Sequence, residues 1–340
     1  MFIVNFNTVF GSHTNHNGLS GFLNLFNGSS STLFVMLAGM GVSLMTHKSN
    51  YTLEERKSIR NRIVKRSWFL FVLGIAFYLW WPADILHFYG GYMHMAAFLI
   101  FVPKKYFLFS ASAAILIFHV LLAIIPFGTG WNFETFMYSD FWTLSGFIRN
   151  TFYNGWNSIF PWIAYFFLGM YLGRMNWQDS KTPKRVILIG LSVYIISFII
   201  QYFATTITND KNLLLYFTAD YLPPFLPFML STASFGLILI CIFIFIGNKF
   251  GKTKLAKLLV STGQMTLTHY ITHLTLGLFS LSLIAGKTLS YEMLTETPTN
   301  PLTIMIFAIV YFMFSCAFSY LWNKKYKNGP FEMLMRKISG

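Results

Sequence analysis

Long segments without charged side chains constrain the fold of this 340-residue chain more than any other feature. About 20 apolar residues of helix cross the ~30 Å hydrocarbon core of a bilayer. Nine segments of at least 17 residues contain no Asp, Glu, Lys or Arg: 31–47, 67–83, 85–103, 106–133, 150–173, 186–209, 221–248, 258–286 and 297–323. Charged residues make up only 11% of the chain, less than half the roughly 25% of soluble proteins. The sequence therefore predicts an all-α, polytopic membrane helix bundle and excludes a soluble enzyme.

The basic residues are concentrated on one side of the predicted bundle. The formal net charge is +14, and 22 of the 25 Lys and Arg residues lie in 47–67, 103–105, 174–186, 249–257 and 323–340. An excess of Lys and Arg marks cytoplasmic loops, so we expect these segments and the C-terminal tail to face the cytoplasm from the cell membrane. Five short loops do not form the continuous basic groove that nucleic acid requires. We therefore expect lipid headgroups at this face, and no nucleic acid.

Alternating the spans across the membrane predicts about ten transmembrane helices in one domain, residues 1–340. Residues 11–30 and the aromatic-rich loop 127–155 then lie outside, the loop forming either an interfacial belt or a lid over an outer site. The first predicted helix, residues 1–10, covers only about 15 Å. We expect a further turn or two to precede it, and the alternative is a half-span buried by its neighbours.

The outer segment after the first helix carries one group of candidate residues. His13 and His16 are followed directly by Asn17 and Gly18, at the predicted outer membrane boundary. Histidine exchanges protons near neutral pH, and ionisable groups near membrane depth usually have a function. Two interpretations remain open, a catalytic cluster and a polar turn that its own histidines cap.

A second group lies in the predicted helix 84–102. At 100° per residue, Asp84, His87, Gly91 and His94 fall within an arc of about 80°. A carboxylate beside an imidazole orients the ring and stabilises its cationic form. The alternative is a pair of core histidines bonded to backbone carbonyls, with Asp84 as an exposed helix cap.

A third group consists of Thr266, His269 and His273. The i, i+4 spacing puts both imidazoles on one helix face, but the intervening Glu of the HExxH zinc motif is missing. No third ligand is evident on this helix, so we expect no metal. Packing histidines and the lining of a polar path both remain open.

Several motifs, in order along most of the chain, resemble the heparan-α-glucosaminide N-acetyltransferase-like family, with its bacterial relatives in the wider transmembrane acyltransferase superfamily. The strongest resemblance is in 158–174, which is similar to a P-W-x-x-x-F-x-x-G-x-x-x-G-R helix. The other similar segments are 13–19 (H-x-x-x-N-G-L), 31–41, 85–90 (I-L-H-x-x-G), 263–270 and 328–332.

The resemblance implies acetyl transfer across the membrane. In this family acetyl-CoA binds from the cytoplasmic side, and a histidine at the His13 position takes part in transfer to a sugar amine. The resemblance therefore implies His13 as the general base or transient acyl carrier, with Asn5 as its partner on the first helix. Relatives usually carry an Asp-x-x-Arg-Gly segment before the position that corresponds to Met1 here, and we expect it to complete the first helix and part of the CoA site. This chain has His16 where the animal enzymes have an aromatic residue, so the two histidines could share or exchange the role.

The resulting prediction is an acetyl-CoA-dependent acyltransferase with acetyl-CoA as co-substrate and a sugar or glycan amine or hydroxyl as acceptor. We expect catalytic roles for His13, His16, Asp84 and His87. We expect cofactor binding by Asn5, Arg174, Lys184 and Arg185, and substrate binding by Asn17, His94, Arg149 and Trp156. A homodimer is left open. The alternative is a transporter or flippase with a His-lined path, against which no internal repeat or pair of broken helices is evident.

Overall fold

In the computed structural model the chain is almost entirely helical, as the sequence predicts. The structure describes residues 1–12, 17–46, 50–218, 220–288 and 298–340. The chain divides into two compact units. Unit 1 comprises Met1–Ser30, Asn132–Met137 and Ile246–Gly340, and unit 2 comprises Ser31–Trp131 and Tyr138–Phe245.

Unit 1 is built from both ends of the chain. Its N-terminal helices are α1 (Phe2–Phe10) and α2 (Gly18–Asn24). Its C-terminal helices are α12 (Lys254–Gly263), α13 (Thr266–Thr272), a π-helical turn (His273–Gly277), α14 (Leu278–Ala285), α15 (Pro301–Asn323) and α16 (Pro330–Ser339). The backbone N–H of Thr299, just before α15, donates to the carbonyl of Phe10 at 2.7 Å. The two ends of the chain are thereby joined in one unit.

Unit 2 contains most of the long central helices. They are α3 (Ser29–Leu44), α4 (Leu53–Tyr78), α5 (Leu86–Ala97), α6 (Lys105–Ile124), α7 (Leu144–Arg149), a π-helical turn (Asn150–Asn154), α8 (Ile159–Gly173), α9 (Lys181–Ile207), α10 (Lys211–Phe217) and α11 (Leu226–Phe250). The unit includes α3 from Ser31 onward and α11 as far as Phe245. Between α6 and α7 lie the two-residue strands β1 (Trp131–Asn132) and β2 (Met137–Tyr138). Strand structure is otherwise absent from the described residues.

The described part of the chain contains six helical segments long and apolar enough to cross a bilayer. They are Gly18–Leu44, Lys105–Ile124, Lys181–Ile207, Leu226–Phe250, Thr266–Ala285 and Pro301–Asn323. The prediction of a multi-pass all-α membrane protein is confirmed. Each of the ten predicted segments contains helix, and the number that cross the membrane stays a prediction.

Two helix boundaries differ from those that hydropathy predicts. Helix α4 begins at Leu53, inside the basic segment, because Thr52 and Glu55 form a reciprocal capping box. The Glu55 N–H donates to Thr52 Oγ1 at 3.2 Å, and the Thr52 N–H donates to Glu55 Oε2 at 2.9 Å. Such a cap satisfies two backbone donors at once. Helix α5 begins at Leu86, so Asp84 precedes the helix and does not lie on its face.

Glycines bring the helices that carry the candidate site into close contact. A Cβ on Gly74 of α4 would lie 2.2 Å from the backbone nitrogen of His87. A Cβ on Gly39 of α3 would lie 2.0 Å from the Phe166 carbonyl oxygen, and one on Gly169 of α8 would lie 1.9 Å from that of Met36. Small residues allow such backbone approach between membrane helices. The α4–α5 contact positions His87, and the α3–α8 contact positions the residues that follow α8.

Candidate functional site

Asp84 and His87 form a fully buried pair at the start of α5 in unit 2. Both side chains have 0% exposure. Asp84 Oδ2 accepts the N–H of Leu86 at 2.8 Å and that of His87 at 3.2 Å, and it lies 3.4 Å from His87 Nδ1. The same carboxylate oxygen therefore caps the first turn of α5 and orients the imidazole of His87. The alternative of an exposed Asp84 cap is wrong, because the cap is buried.

The contacts of His87 determine where its proton lies. A carboxylate oxygen that accepts two N–H groups presents an acceptor to Nδ1, so Nδ1 carries the hydrogen of the neutral ring. Nε2 then holds the lone pair, and it is buried without a hydrogen-bond partner among the described residues. The ring is enclosed by Phe88 at 3.8 Å, Tyr78 at 6.0 Å and Phe141 at 6.1 Å between ring centroids. This arrangement leaves a nitrogen lone pair able to accept a proton in an aromatic environment.

His94 lies two turns further along α5 and is half-buried. Its Nδ1 lies 3.2 Å from the hydroxyl oxygen of Ser67 on α4. The rings of Trp68 and Phe98 contact it edge-on, at 5.7 and 5.8 Å between centroids. His94 is thus held against α4 by a hydrogen bond, and its role with substrate stays a prediction.

Arg149 is paired within the loop between α6 and α8. Its Nη2 lies 2.6 Å from Asp140 Oδ2, and its Nε donates to the Tyr138 hydroxyl at 2.8 Å. The Tyr138 hydroxyl in turn donates to Asn154 Oδ1 at 2.7 Å. Burial raises the pKa of Tyr138 to about 12, so the hydroxyl keeps the proton that this bond needs. Arg149 therefore belongs to a local network, and any contact with an acidic acceptor stays a prediction.

The aromatic residues of this loop pack on one another. Trp156 contacts Trp131 edge-on at 5.4 Å and Tyr221 at 6.1 Å between ring centroids. Phe141 stacks on Tyr78 at 3.5 Å with an interplanar angle of 10°. These aromatic side chains thus form a small core under the loop. Neither of the two interpretations from the sequence, an interfacial belt or a lid, includes such a core.

Arg174 follows α8 and is held by neutral oxygen atoms. Its Nε donates to Ser43 Oγ at 3.0 Å, and its Nη2 donates to Thr46 Oγ1 at 2.8 Å and to the Ile100 carbonyl at 2.5 Å. No carboxylate in the described ranges forms an ion pair with this guanidinium. Lys184 and Arg185 are exposed on α9, and no hydrogen bond joins them to Arg174 within the described residues. The structure thus brings together only part of the predicted cofactor group.

In unit 1, Asn5 contacts a residue that the sequence does not pair with it. Asn5 Nδ2 lies 2.7 Å from His273 Nε2, across 268 positions of sequence. Asn17 is exposed and precedes α2, where its carbonyl accepts the Gly21 N–H at 3.2 Å. His13 and His16 lie outside the described residues. The sequence signal for His273 was its spacing from His269, which indicates a shared face but cannot identify a partner on α1.

His269 and His273 bind neighbouring groups of unit 1 rather than a common ligand. His269 Nε2 lies 2.8 Å from Ser319 Oγ on α15, and His273 Nδ1 lies 2.9 Å from the His269 carbonyl oxygen. Across the residues that the structure describes, no cluster of three His, Cys, Asp or Glu side chains is suited to a metal ion. The geometry favours the packing interpretation of these two histidines over the metal interpretation.

Comparison with known families decides the class of the protein. The family described as heparan-alpha-glucosaminide N-acetyltransferase, catalytic, matches residues 2–188, which is more than half of the chain. The chain belongs to this family. A second family, described as a protein of unknown function (DUF418), matches residues 171–340. No curated protein and no solved structure matches the chain.

As a member of the heparan-alpha-glucosaminide N-acetyltransferase family, the chain is a membrane acetyltransferase homologue. The part that matches this family contains Asn5, the Asp84–His87 pair, Arg149 and Arg174. His273 lies in the part that matches the family of unknown function alone. The hydrogen bond between Asn5 and His273 therefore joins the two matched segments.

Proposed function

We propose that the protein moves an acetyl group from cytoplasmic acetyl-CoA to an amine or hydroxyl of a sugar or glycan on the opposite side of the cell membrane. Family membership supports acetyl transfer. The observation that supports the proton transfer is the buried Asp84–His87 pair, in which the ring is oriented and Nε2 has no partner in the described structure. Acetyl transfer needs a neutral base of this kind, because the acceptor must lose a proton.

The chemistry requires one bond exchange and one proton transfer. The acceptor nitrogen or oxygen attacks the thioester carbonyl carbon, a bond forms from it to that carbon, and the carbon–sulfur bond breaks. The acceptor's proton passes to an imidazole and then to the departing CoA thiolate, so nothing is oxidised or reduced. A positioned general base contributes typically 10²–10⁴-fold to such a reaction.

We assign the roles as follows. His13, with His16 able to share the role, is the general base or the nitrogen that carries the acetyl group transiently. Asp84 orients His87, and His87 accepts or relays the proton. A neutral imidazole is required for either role, since only its free lone pair is a base or a nucleophile.

The donor and acceptor contacts are proposed from charge and exposure. Arg174, which has no ion-pair partner in the described ranges, and the exposed Lys184 and Arg185 suit the phosphates of CoA on the basic cytoplasmic side. Asn5 contributes to donor binding. On the opposite side, the acceptor contacts that we propose are Asn17, His94, Arg149 and Trp156. The whole chain acts as one acyltransferase domain in this proposal.

The test is turnover by the purified full chain in detergent. Free CoA thiol is measured after addition of acetyl-CoA with glucosamine as the first acceptor, for the wild type, His13→Ala, His16→Ala and the double variant. We expect CoA release by the wild type and a loss of about 10²-fold or more in the variant that removes the base. Binding of acetyl-CoA should remain.

The matched control is His119→Ala. This half-buried histidine of α6 has its Nδ1 2.9 Å from the Ile115 carbonyl oxygen and its Nε2 3.5 Å from the Tyr216 hydroxyl. Both partners lie outside the residues that we assign to the reaction, so the variant should leave turnover unchanged. Full turnover by the double variant would remove His13 and His16 from the mechanism. Absence of both binding and turnover in the wild type would refute acetyl-CoA as the donor.

The alternative of a transporter has less support in the described structure, because two histidines of its path already have hydrogen-bond partners. Its path requires polar groups with free hydrogen-bonding capacity along the membrane, whereas His269 and His273 are bonded to Ser319 and Asn5.

A further inference from the structure

The hydrogen bonds of His273 fix its tautomer. Its Nδ1 lies 2.9 Å from the His269 carbonyl oxygen, which can only accept, so Nδ1 carries a hydrogen. The side chain is fully buried, and burial disfavours a charged ring. Nε2 is therefore the unprotonated nitrogen and accepts a hydrogen bond.

The tautomer of His273 in turn fixes the amide of Asn5. Only the amide nitrogen can donate to an unprotonated Nε2, and it lies 2.7 Å away. The amide oxygen, on the other prong of the side chain, then points away from the ring. The orientation of a free Asn amide is otherwise ambiguous, so this single bond selects which atom of Asn5 is presented to a ligand.

Packing holds the His273 ring in place. Phe2 lies 5.1 Å, Tyr270 5.5 Å and Phe6 6.1 Å from it between ring centroids. A Cβ on Gly277, at the end of the same π-helical turn, would lie 3.0 Å from the Phe6 ring. The ring is therefore anchored on three sides, whereas Asn5 is only half-buried.

We propose that His273 is a positioning residue for acetyl transfer, which acts by holding the Asn5 amide with its oxygen directed to the acyl donor or to the catalytic group. The inference rests on the proposed function, in which Asn5 takes part in donor binding. It gives the segment of unknown function a defined contribution: one hydrogen-bond acceptor supplied to the first helix of the acetyltransferase segment.

The experiment compares three substitutions in the full chain, with acetyl-CoA and a panel of amino sugars. His273→Phe keeps the ring shape and removes both polar atoms, and His273→Asn removes the acceptor at the Nε2 position. His273→Gln places an amide end near Nε2 and can restore an acceptor. We expect kcat/KM for acetyl-CoA to fall by about 100-fold in the Phe and Asn variants, since small misplacements cost this much, and to recover substantially in the Gln variant.

A double-mutant cycle separates positioning from general loss of structure. If His273 acts through Asn5, the Asn5→Ala/His273→Phe double variant should be no slower than Asn5→Ala alone. His269→Phe is the matched control, because it makes the same change one turn away on a side chain that bonds Ser319 and not Asn5. It should leave kcat/KM close to that of the wild type.

Each outcome decides between the two proposals. Additive effects of Asn5→Ala and His273→Phe, or equal losses in His269→Phe and His273→Phe, would overturn the positioning role and leave the proposed function standing. A wild-type protein that transfers acetyl to none of the amino sugars and releases no CoA would overturn the proposed function and the positioning role with it.

Discussion

His87 in unit 2 and His273 in unit 1, both fully buried, differ by one hydrogen bond. In each ring Nδ1 faces an oxygen acceptor, the Asp84 carboxylate at 3.4 Å and the His269 carbonyl at 2.9 Å. Nε2 of His273 is bonded to Asn5, whereas Nε2 of His87 has no partner in the described part of the chain. Both ring nitrogens of His273 thus have hydrogen-bond partners, whereas His87 keeps one acceptor nitrogen without a partner in the described structure.

The difference separates two uses of a buried imidazole. A buried acceptor without a hydrogen bond lowers the free energy of unfolding by about 1–3 kcal/mol. A histidine that served only packing could be replaced by an apolar ring without this loss. A ring with both nitrogens bonded is suited to orienting its neighbours. We therefore assign proton transfer to His87 and positioning to His273.

The largest effect is expected from His87→Phe. The ring shape is kept and the nitrogen that accepts or relays the proton is lost, so acetyl transfer should fall by about 10²–10⁴-fold. Stability should change little, because the unpartnered nitrogen disappears together with the ring's bond to Asp84. CoA release and thermal unfolding of the same preparations measure both quantities. Retained activity would show that His87 serves packing only, and would contradict the assignment of proton transfer to His87 and positioning to His273.

Asp84→Asn should have a smaller effect. Three donors converge on one oxygen of Asp84, Oδ2, so an amide oxygen can accept from them and keep the ring's tautomer. The negative charge that stabilises an imidazolium is lost. We expect turnover to fall by about tenfold, equivalent to roughly 1.4 kcal/mol. An Asp84→Asn variant as inactive as His87→Phe would show that the charge, and not the orientation, is essential.

His273→Phe should affect stability, in contrast to His87→Phe. It leaves the Asn5 amide and the His269 carbonyl without this partner, and each lost bond is worth about 1 kcal/mol. The variant should therefore unfold at a lower temperature than His87→Phe in parallel melts. Equal melting temperatures would contradict the assignment of different roles to the two rings.

The smallest effect is expected from Arg149→Gln. The Arg149–Asp140 pair is partly exposed, with side-chain exposures of 16% and 36%, and such pairs contribute about 0–1 kcal/mol. Stability should change little, and turnover with a neutral amino sugar should be kept. A large loss with an acidic acceptor alone would support the acceptor contact proposed for Arg149. A large loss with every acceptor would place this network at the chemistry, beside His87.

The helical membrane fold follows from the sequence because charge-free segments of bilayer length have few alternatives. The helix boundaries were harder to predict from the sequence, since hydropathy does not detect helix caps. The Thr52–Glu55 capping box extends α4 into the basic segment, although its S/T-x-x-E spacing is a readable signal. The single predicted span 258–286 is divided after Gly263, and a π-helical turn follows α13.

The site was partly predictable. Asp84 and His87 were expected to interact from their spacing in sequence, and the structure brings them together. Their burial, and the free Nε2, depend on the approach of α4 at Gly74, which no pattern within α5 indicates. The Asn5–His273 bond joins residues 268 positions apart, so only the tertiary fold determines it.

The most direct test of the proposed function uses sealed proteoliposomes with amino sugar inside and radiolabelled acetyl-CoA outside. Molecules inserted with the basic face outward should label the enclosed sugar, whereas His87→Phe vesicles should not. Acetyl-CoA itself should remain outside. Labelled sugar inside the wild-type vesicles is the predicted result. Labelling that occurs only when donor and acceptor share one compartment, or no labelling in either arrangement, would contradict acetyl transfer across the membrane.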